Sequence, residues 1–160
     1  MESARLRLRR FTAHDFENLR ELESDAEVMK FTSLRVALSA EQTASRLQSL
    51  IEKETERAPL GVWALELKDD ADFVGWFMLL KTKTETPELG FMIVRRHWGK
   101  GYTTEGSRLL VDYAFHALGF SKLTATTDPL NEASKKVLLK LGFSWMRQEN
   151  GLDIFEITKL

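Results

Sequence analysis

No cysteine occurs anywhere in this sequence. That removes thiolate metal clusters and any Cys-linked acyl-enzyme, and it suits a reducing compartment. Histidine is scarce too. His14, His97 and His116 lie far apart with no His-x-x-x-His spacing, so no metal centre is expected. A Gly-x-Ser-x-Gly elbow is missing, and with it the usual serine-hydrolase signature. No apolar run approaches the ~18 residues of a membrane helix, and residues 1–20 are too charged for a signal peptide. A formal net charge of -1 argues against broad nucleic-acid binding, which depends on many Lys and Arg contacts to phosphate. The expectation is a cytoplasmic protein with no membrane or nucleic-acid partner. Its chemistry must rest on carboxylates, hydroxyls and backbone dipoles.

What is present is the composition of a globular domain: 43% hydrophobic and 29% charged residues over 160 positions. One domain, 1–160, is the simplest division. Leu6 and Leu8 alternate with Arg5, Arg7 and Arg9, which predicts a half-buried strand whose arginines are solvated on an edge. Thr12 with Asp15, and Ser39 with Gln42, mark two helix starts, the first flanked by Phe11 and Phe16 as a hydrophobic staple. Strands follow at about 61–67, 72–82 and 86–95, joined by short polar links that imply antiparallel hairpins. A helix from Gly101 to near Gly119 leads to a strand over 122–127. Asn131 then caps a helix stopped at Gly142, and two last strands turn through Asn150-Gly151. The order is β-α-α-β-β-β-α-β-α-β-β, an α/β (α+β) fold with a mixed, mainly antiparallel sheet of about seven strands and helices on both faces. The helix between the strands at 88 and 122 makes those two parallel.

One stretch stands apart: residues 88–106, Glu-Leu-Gly-Phe-Met-Ile-Val-Arg-Arg-His-Trp-Gly-Lys-Gly-Tyr-Thr-Thr-Glu-Gly. A strand apolar on both faces runs into a glycine turn and then a helix. Such a junction aims several free backbone N–H groups, and the positive end of a helix dipole, at one point. Phosphate or pyrophosphate suits that point. The two commonest phosphate loops do not fit, since there is neither Gly-x-x-x-x-Gly-Lys-Ser/Thr nor Gly-x-Gly-x-x-Gly with an acidic residue ~20 positions on.

The string resembles the pyrophosphate-binding segment of the GNAT superfamily of acyl-CoA N-acyltransferases, especially its RimJ/RimL-type branch, in which Trp98 is habitual. Residues 128–143, Asp-Pro-Leu-Asn-Glu-Ala-Ser-Lys-Lys-Val-Leu-Leu-Lys-Leu-Gly-Phe, resemble the later motif Asn-x-x-Ser-x-x-Val-Leu-x-x-x-Gly-Phe of the same superfamily. The resemblance implies a GNAT-like three-layer fold in which the strands at 88 and 122 splay, with acetyl-CoA as co-substrate and no metal. It implies that Phe91, Met92 and Ile93 pair their backbone with the acetyl-pantetheine arm, and that an amide near Met92 or Ile93 is the oxyanion donor. Gly99, Lys100, Gly101, Tyr102, Thr103 and Thr104 then cradle the pyrophosphate, and Asn131 and Ser134 meet the pantetheine. Lys100 also reads as a surface lysine flanking the loop, and Asn131 as a plain helix cap.

For catalysis the resemblance offers Glu88 as base, against its other reading as a carboxylate that begins the strand and pairs with a cation. Many members place a general-acid tyrosine where this chain has Leu138, so Ser134 is the nearest proton donor. Arg95 stands where proline is common, and Thr103 where alanine or glycine is usual. The implied activity is acetyl transfer to a primary amine, either a protein N-terminal α-amine or a small molecule, by direct attack in a ternary complex. The alternative is an acyl-CoA sensor with little catalysis. The acceptor groove is expected between the 13–57 helices and the 148–152 hairpin, made acidic by Asp25, Glu27 and Glu149. A monomer and a homodimer are both compatible with this reading.

Overall fold

A computed structural model describes residues 1–82 and 84–159. A seven-stranded sheet has the order β1-β2-β3-β4-β5-β7-β6. The strands are β1 (Leu6–Arg9), β2 (Gly61–Leu67), β3 (Phe73–Leu80), β4 (Glu88–Ile93), β5 (Lys122–Thr127), β6 (Ser144–Glu149) and β7 (Leu152–Thr158). Every neighbouring pair is antiparallel except β4 with β5. The expected mixed sheet with helices on both faces is the fold that forms. On one face α5 (Tyr102–Asp112) and α6 (Glu132–Leu141) cover a core that includes Leu65, Phe77, Leu110 and Leu138. On the other, α1 (Phe16–Glu23) and α3 (Ala40–Glu52) cover Phe73, Met92 and Val94 with Leu19, Leu22 and Leu47. The short helices α2 (Ala26–Met29) and α4 (Glu54–Arg57) complete that layer. Both faces of β4 are therefore buried, which is why its sequence is apolar without alternation.

The β6–β7 hairpin turns where Asn-Gly predicts, with Asn150 at φ 51° and Gly151 at φ 78°. Two positive φ values in succession give a turn whose twist matches that of the strands. The helix expected over 101–119 is not uniform. It is α-helical to Asp112 and then widens into a π-helical turn over Tyr113–Ala117, closed by Leu118 N–H donating to Tyr113 O at 3.0 Å. No helix among the described residues is long and apolar enough to cross a membrane.

The decisive feature is the parallel pair. β4 and β5 align at a single point, Glu88 with Thr124, where Thr124 N–H donates to Pro87 O at 3.0 Å. Beyond it the two strands part, which leaves the facing backbone groups of β4 and β5 without each other.

The arginines of β1 depart from expectation. They do not simply face water: Arg7 and Arg9 both bind Glu66 of β2, and Arg9 also grips Asp15 through two nitrogens at 2.7 and 2.8 Å. Glu66 and Asp15 are only 3% and 1% exposed, so the arginines pair acids that sequence alone could not show to be buried. Burial by itself pushes the Asp15 carboxyl up, but bonds from Arg9, the Thr12 amide and Asn18 outweigh it and hold the pKa at about 2. A depressed carboxylate contributes stability that is present above its unfolded pKa, near 4, and is lost as pH falls through the folded value. Denaturant midpoints taken from pH 5 to pH 2 should therefore report a loss of about 2 kcal/mol from this group. Asp15→Asn, less stable at neutral pH, should show a correspondingly flatter acid limb.

Candidate active site

The glycine turn after β4 builds one wall of the site. Gly99 lies at φ 75° and Gly101 at φ 81°, and Gly101 is the residue from which α5 starts. None of the six backbone N–H groups from Gly99 to Thr104 donates to another backbone group of the described chain. They are the orphan donors of a helix start, lengthened by the turn. Anion binding is the service they can perform. A cavity of about 540 Å³ lies in front of them, with Gly99, Gly101, Thr103 and Thr104 on one wall and Lys136 and Lys140 of α6 on another.

Lys100 and Tyr102 point elsewhere. Lys100 Nζ sits 3.3 Å from His97 Nδ1, while His97 Nε2 lies 2.8 Å from Asp72 Oδ2. Tyr102 packs edge-on to His97, and the Arg5 guanidinium lies 4.6 Å from its ring centroid. Arg5 also binds Glu105 and reaches the Lys100 carbonyl, tying the loop to β1. Neither Lys100 nor Tyr102 lines the cavity, so what they can offer an anion is the backbone amide. Lys136 and Lys140, four apart on one helix face, are cations that the sequence reading missed; their spacing was the available signal.

The free edge of β4 is the second component. Val94 N–H donates to Val74 O, so by strand alternation the groups of Met92 also belong to β3, while those of Phe91 and Ile93 turn to the opening. A Cβ added to Gly75 would lie 2.0 Å from Met92 O, which places that carbonyl against β3. Of the groups facing the opening, Ile93 O already accepts from Trp98 Nε1 at 2.9 Å. Phe91 and the Ile93 N–H are left for a ligand. Asn131 caps α6, its Oδ1 accepting from Ser134 N–H at 3.1 Å. Its side-chain NH₂ has no partner among the described residues, so capping and ligand binding are compatible.

Glu88 stands where the strands begin to part. Thr126 Oγ1, from β5, donates to its Oε1 at 2.6 Å, and Thr82 Oγ1 donates to its Oε2 at 2.5 Å. No cation pairs with it among the described residues, so the ion-paired reading of this carboxylate has no partner on which to rest. It lines a second cavity of about 410 Å³, on the α1/α3 side of the sheet. The two cavities share Phe31, Thr32, Phe91, Met92, Asn131 and Ser134. Leu138, 1% exposed, lines the second cavity and belongs to the core beneath it.

Of the three carboxylates expected to make the groove acidic, Glu27 lines the first cavity and the other two are paired with arginines. Asp25 is engaged by Arg95, whose hydrogen bond holds the carboxyl below the usual range, and Glu149 pairs with Arg147 on the exposed edge strand. Arg95, notable in the sequence for replacing a proline, is the cation that neutralises Asp25. The carboxylates on the second cavity are Glu23 and Glu88. Among the described residues no cluster of three or more His, Asp or Glu side chains is placed to hold a metal.

Against known proteins, the profile of a family described as an acetyltransferase (GNAT) domain matches residues 5–144. The chain is 34% identical over 145 residues to YoaA of Bacillus subtilis (strain 168), named as an uncharacterized N-acetyltransferase, covering 89% of this chain and 81% of that protein. Its fold superposes on an acetyltransferase (GNAT family) from Bacillus anthracis with a TM-score of 0.88 at 22% identity, over 99% of this chain and 97% of the other. It also superposes on RimL, a ribosomal-protein α-N-acetyltransferase in complex with coenzyme A, with a TM-score of 0.80 at 14% identity, over 98% and 95% of the two chains.

Proposed function

Because this chain belongs to the GNAT acetyltransferase family, we propose that it transfers acetyl from acetyl-CoA to a primary amine by direct attack, with both substrates bound at once. The observation that carries this reading is the meeting of two cavities at one stretch of β4. Acetyl-CoA fits the first, where unpartnered amides and glycines at positive φ suit a pyrophosphate, and Lys136 and Lys140 add positive charge. On the free edge of β4 the Phe91 carbonyl and the Ile93 N–H suit the amides of pantetheine, and the Asn131 side-chain NH₂ suits one of its carbonyls. An acceptor amine enters from the second cavity and meets Glu88. The string around Trp98-Gly-Lys-Gly resembles that of the RimJ/RimL-type branch and supports a kinship with it.

The chemistry assigns one task to each group. Glu88 takes a proton from the amine, directly or through a water, which gives the nitrogen the lone pair it needs. The N–C bond forms as the C–S bond breaks, the nitrogen's second proton passing to the departing sulfur or to water, and the Phe91 N–H, on the stretch that lines both cavities, rather than an amide of Met92 or Ile93, donates to the carbonyl oxygen while charge develops there. The departing sulfur leaves as a thiolate, with an ordinary pKa near 8.5, so it needs little help; Ser134 Oγ is the hydroxyl nearest in role to a proton donor. Leu138 cannot serve, being apolar and buried.

Thiol release from acetyl-CoA, read against a panel of N-terminal peptides and small amines, tests the reading, with calorimetric coenzyme A binding in parallel. Turnover on a panel member is expected and identifies the acceptor class. Absence of coenzyme A binding would sink the account.

A further inference from the structure

Residues 30–39, between α2 and α3, supply a wall of the second cavity that is neither strand nor helix. Phe31, Thr32, Ser33, Leu34 and Leu38 line the cavity from this loop, and Thr126 and Thr127 line it from β5. The loop is tied at its two ends. Thr32 N–H and Oγ1 both donate to Met29 O, at 3.0 and 2.8 Å. Leu38 N–H donates to Glu23 O at 2.8 Å, and Leu38 O accepts from Arg20 Nη1 at 2.6 Å. Residues 33–37, between these ties, are all exposed. Among the described residues, one bond joins that span to a distant part of the chain. Arg35 Nη2 donates to Asp128 Oδ2 at 2.5 Å, across 93 residues of sequence.

The two partners of that bond are unlike. Asp128 is a fixed post: its Oδ1 accepts from Leu130 N–H at 2.8 Å and its carbonyl from Asn131 N–H at 2.9 Å, in the turn that starts α6. Arg35 is held less firmly. Its φ of 55° lies in the left-handed region that a side chain resists, and its side chain is 58% exposed. Such a backbone persists only where other contacts hold it. The bonds present are the one to Asp128 and that of the Arg35 N–H to Thr32 Oγ1, at 3.2 Å. An ion pair whose cation sits largely in water is weak. Set against a strained residue and the ordering of its neighbours, it leaves the closed and open loop close in free energy. Arg35 follows Leu34 and Asp128 follows Thr127, so the pair joins two walls of the cavity without lining it.

We infer that residues 33–37 are a strap on the acceptor side, latched by Arg35 and Asp128, and that this pair positions the acceptor. Open, the strap admits an amine to the second cavity. Latched, it restores the wall that keeps the amine beside Glu88. Arg35 and Asp128 are positioning residues, since neither touches the reacting atoms. The inference rests on the reading of the second cavity as the acceptor side.

The chain has no cysteine, so two can be introduced and labelled without interference. Nitroxides at Val36→Cys and Leu130→Cys, both exposed positions, read the distance from strap to turn by electron-spin resonance in protein saturated with coenzyme A. One dominant short distance is expected. Arg35→Ala and Asp128→Asn should each spread it into longer distances, whereas Arg35→Lys, which keeps the charge, should retain it. Asp128→Asn keeps an oxygen for the Leu130 amide, so the turn survives. In unlabelled protein, thiol release with the amine that the panel identifies gives KM and kcat separately. Arg35→Ala and Asp128→Asn should raise the acceptor KM about threefold to fivefold, the most that losing a weak pair can shift the closed population. The kcat should stay within about twofold, as should coenzyme A affinity. The double variant should be no worse than either single, because each residue acts through the other. If the distance is unchanged in the variants, or spreads while KM stays fixed, this inference is overturned and the acetyltransferase reading stands. If coenzyme A does not bind, or no amine is turned over by the unaltered protein, both fall.

Discussion

Glu88→Gln is expected to lower turnover about a hundredfold or more and to leave coenzyme A affinity within about twofold, general-base catalysis being worth roughly 10²–10⁴. The substitution isolates proton acceptance because glutamine keeps the shape. Its oxygen can still accept from Thr126 Oγ1, and its NH₂ can donate to Thr82 Oγ1, so both ends of the carboxylate's present bonding survive. The contacts proposed for coenzyme A lie on the other cavity, whose lining does not include this side chain. Single-turnover acetylation and calorimetry on the same preparation separate the two quantities. Unchanged turnover would remove Glu88 from its role and return it to a strand-opening carboxylate bonded by two threonines. A loss of coenzyme A affinity as large as the loss of rate would point to a collapsed site instead.

Gly101→Val should weaken coenzyme A binding about tenfold to a hundredfold, with only a small change in melting temperature. At φ 81° a β-branched residue is strained by roughly 1–3 kcal/mol. Space is not the obstacle, since the nearest atom to an added Cβ is Arg5 Nη2 at 3.7 Å, an ordinary contact. The backbone relieves the strain by rotating, and rotation at the residue that caps α5 turns the amides of Lys100 to Thr103 away from their common point. Lys100→Ala provides the contrast within the same loop. Its ammonium group is at His97 and off the cavity wall, so affinity should change by about twofold or less, as for a rim charge. Equal losses in the two variants would mean that the lysine charge, not the amide cluster, holds the anion.

Much of this site was legible in the chain because the features that build it are local. A strand buried on both faces, a turn that needs positive φ, a helix start with free amides and an Asn cap each depend on a handful of consecutive residues. Local backbone sterics decide them. The Asn150-Gly151 hairpin was readable for the same reason. The parallel pairing of β4 with β5 followed from their connection through a helix, whereas the place of β7 between β5 and β6 did not.

What only the tertiary structure decided are the meetings of residues distant in sequence. Arg9 and Glu66 are 57 residues apart, Arg95 and Asp25 are 70 apart, and Thr126 and Glu88 are 38 apart. A lone arginine or carboxylate in a sequence reads as solvated, because exposure is its commonest fate. Whether it is buried, and what pairs with it, depends on how the sheet twists and where the helices rest. So β1 hid a paired cluster, Asp25 lost its claim on the acceptor, and Glu23 and Trp76 came to line the second cavity. The sequence by itself determined the family and the glycine turn with its free amides, because backbone geometry is written locally. The fold alone decided the electrostatics of the second cavity, because burial is a property of the packed chain.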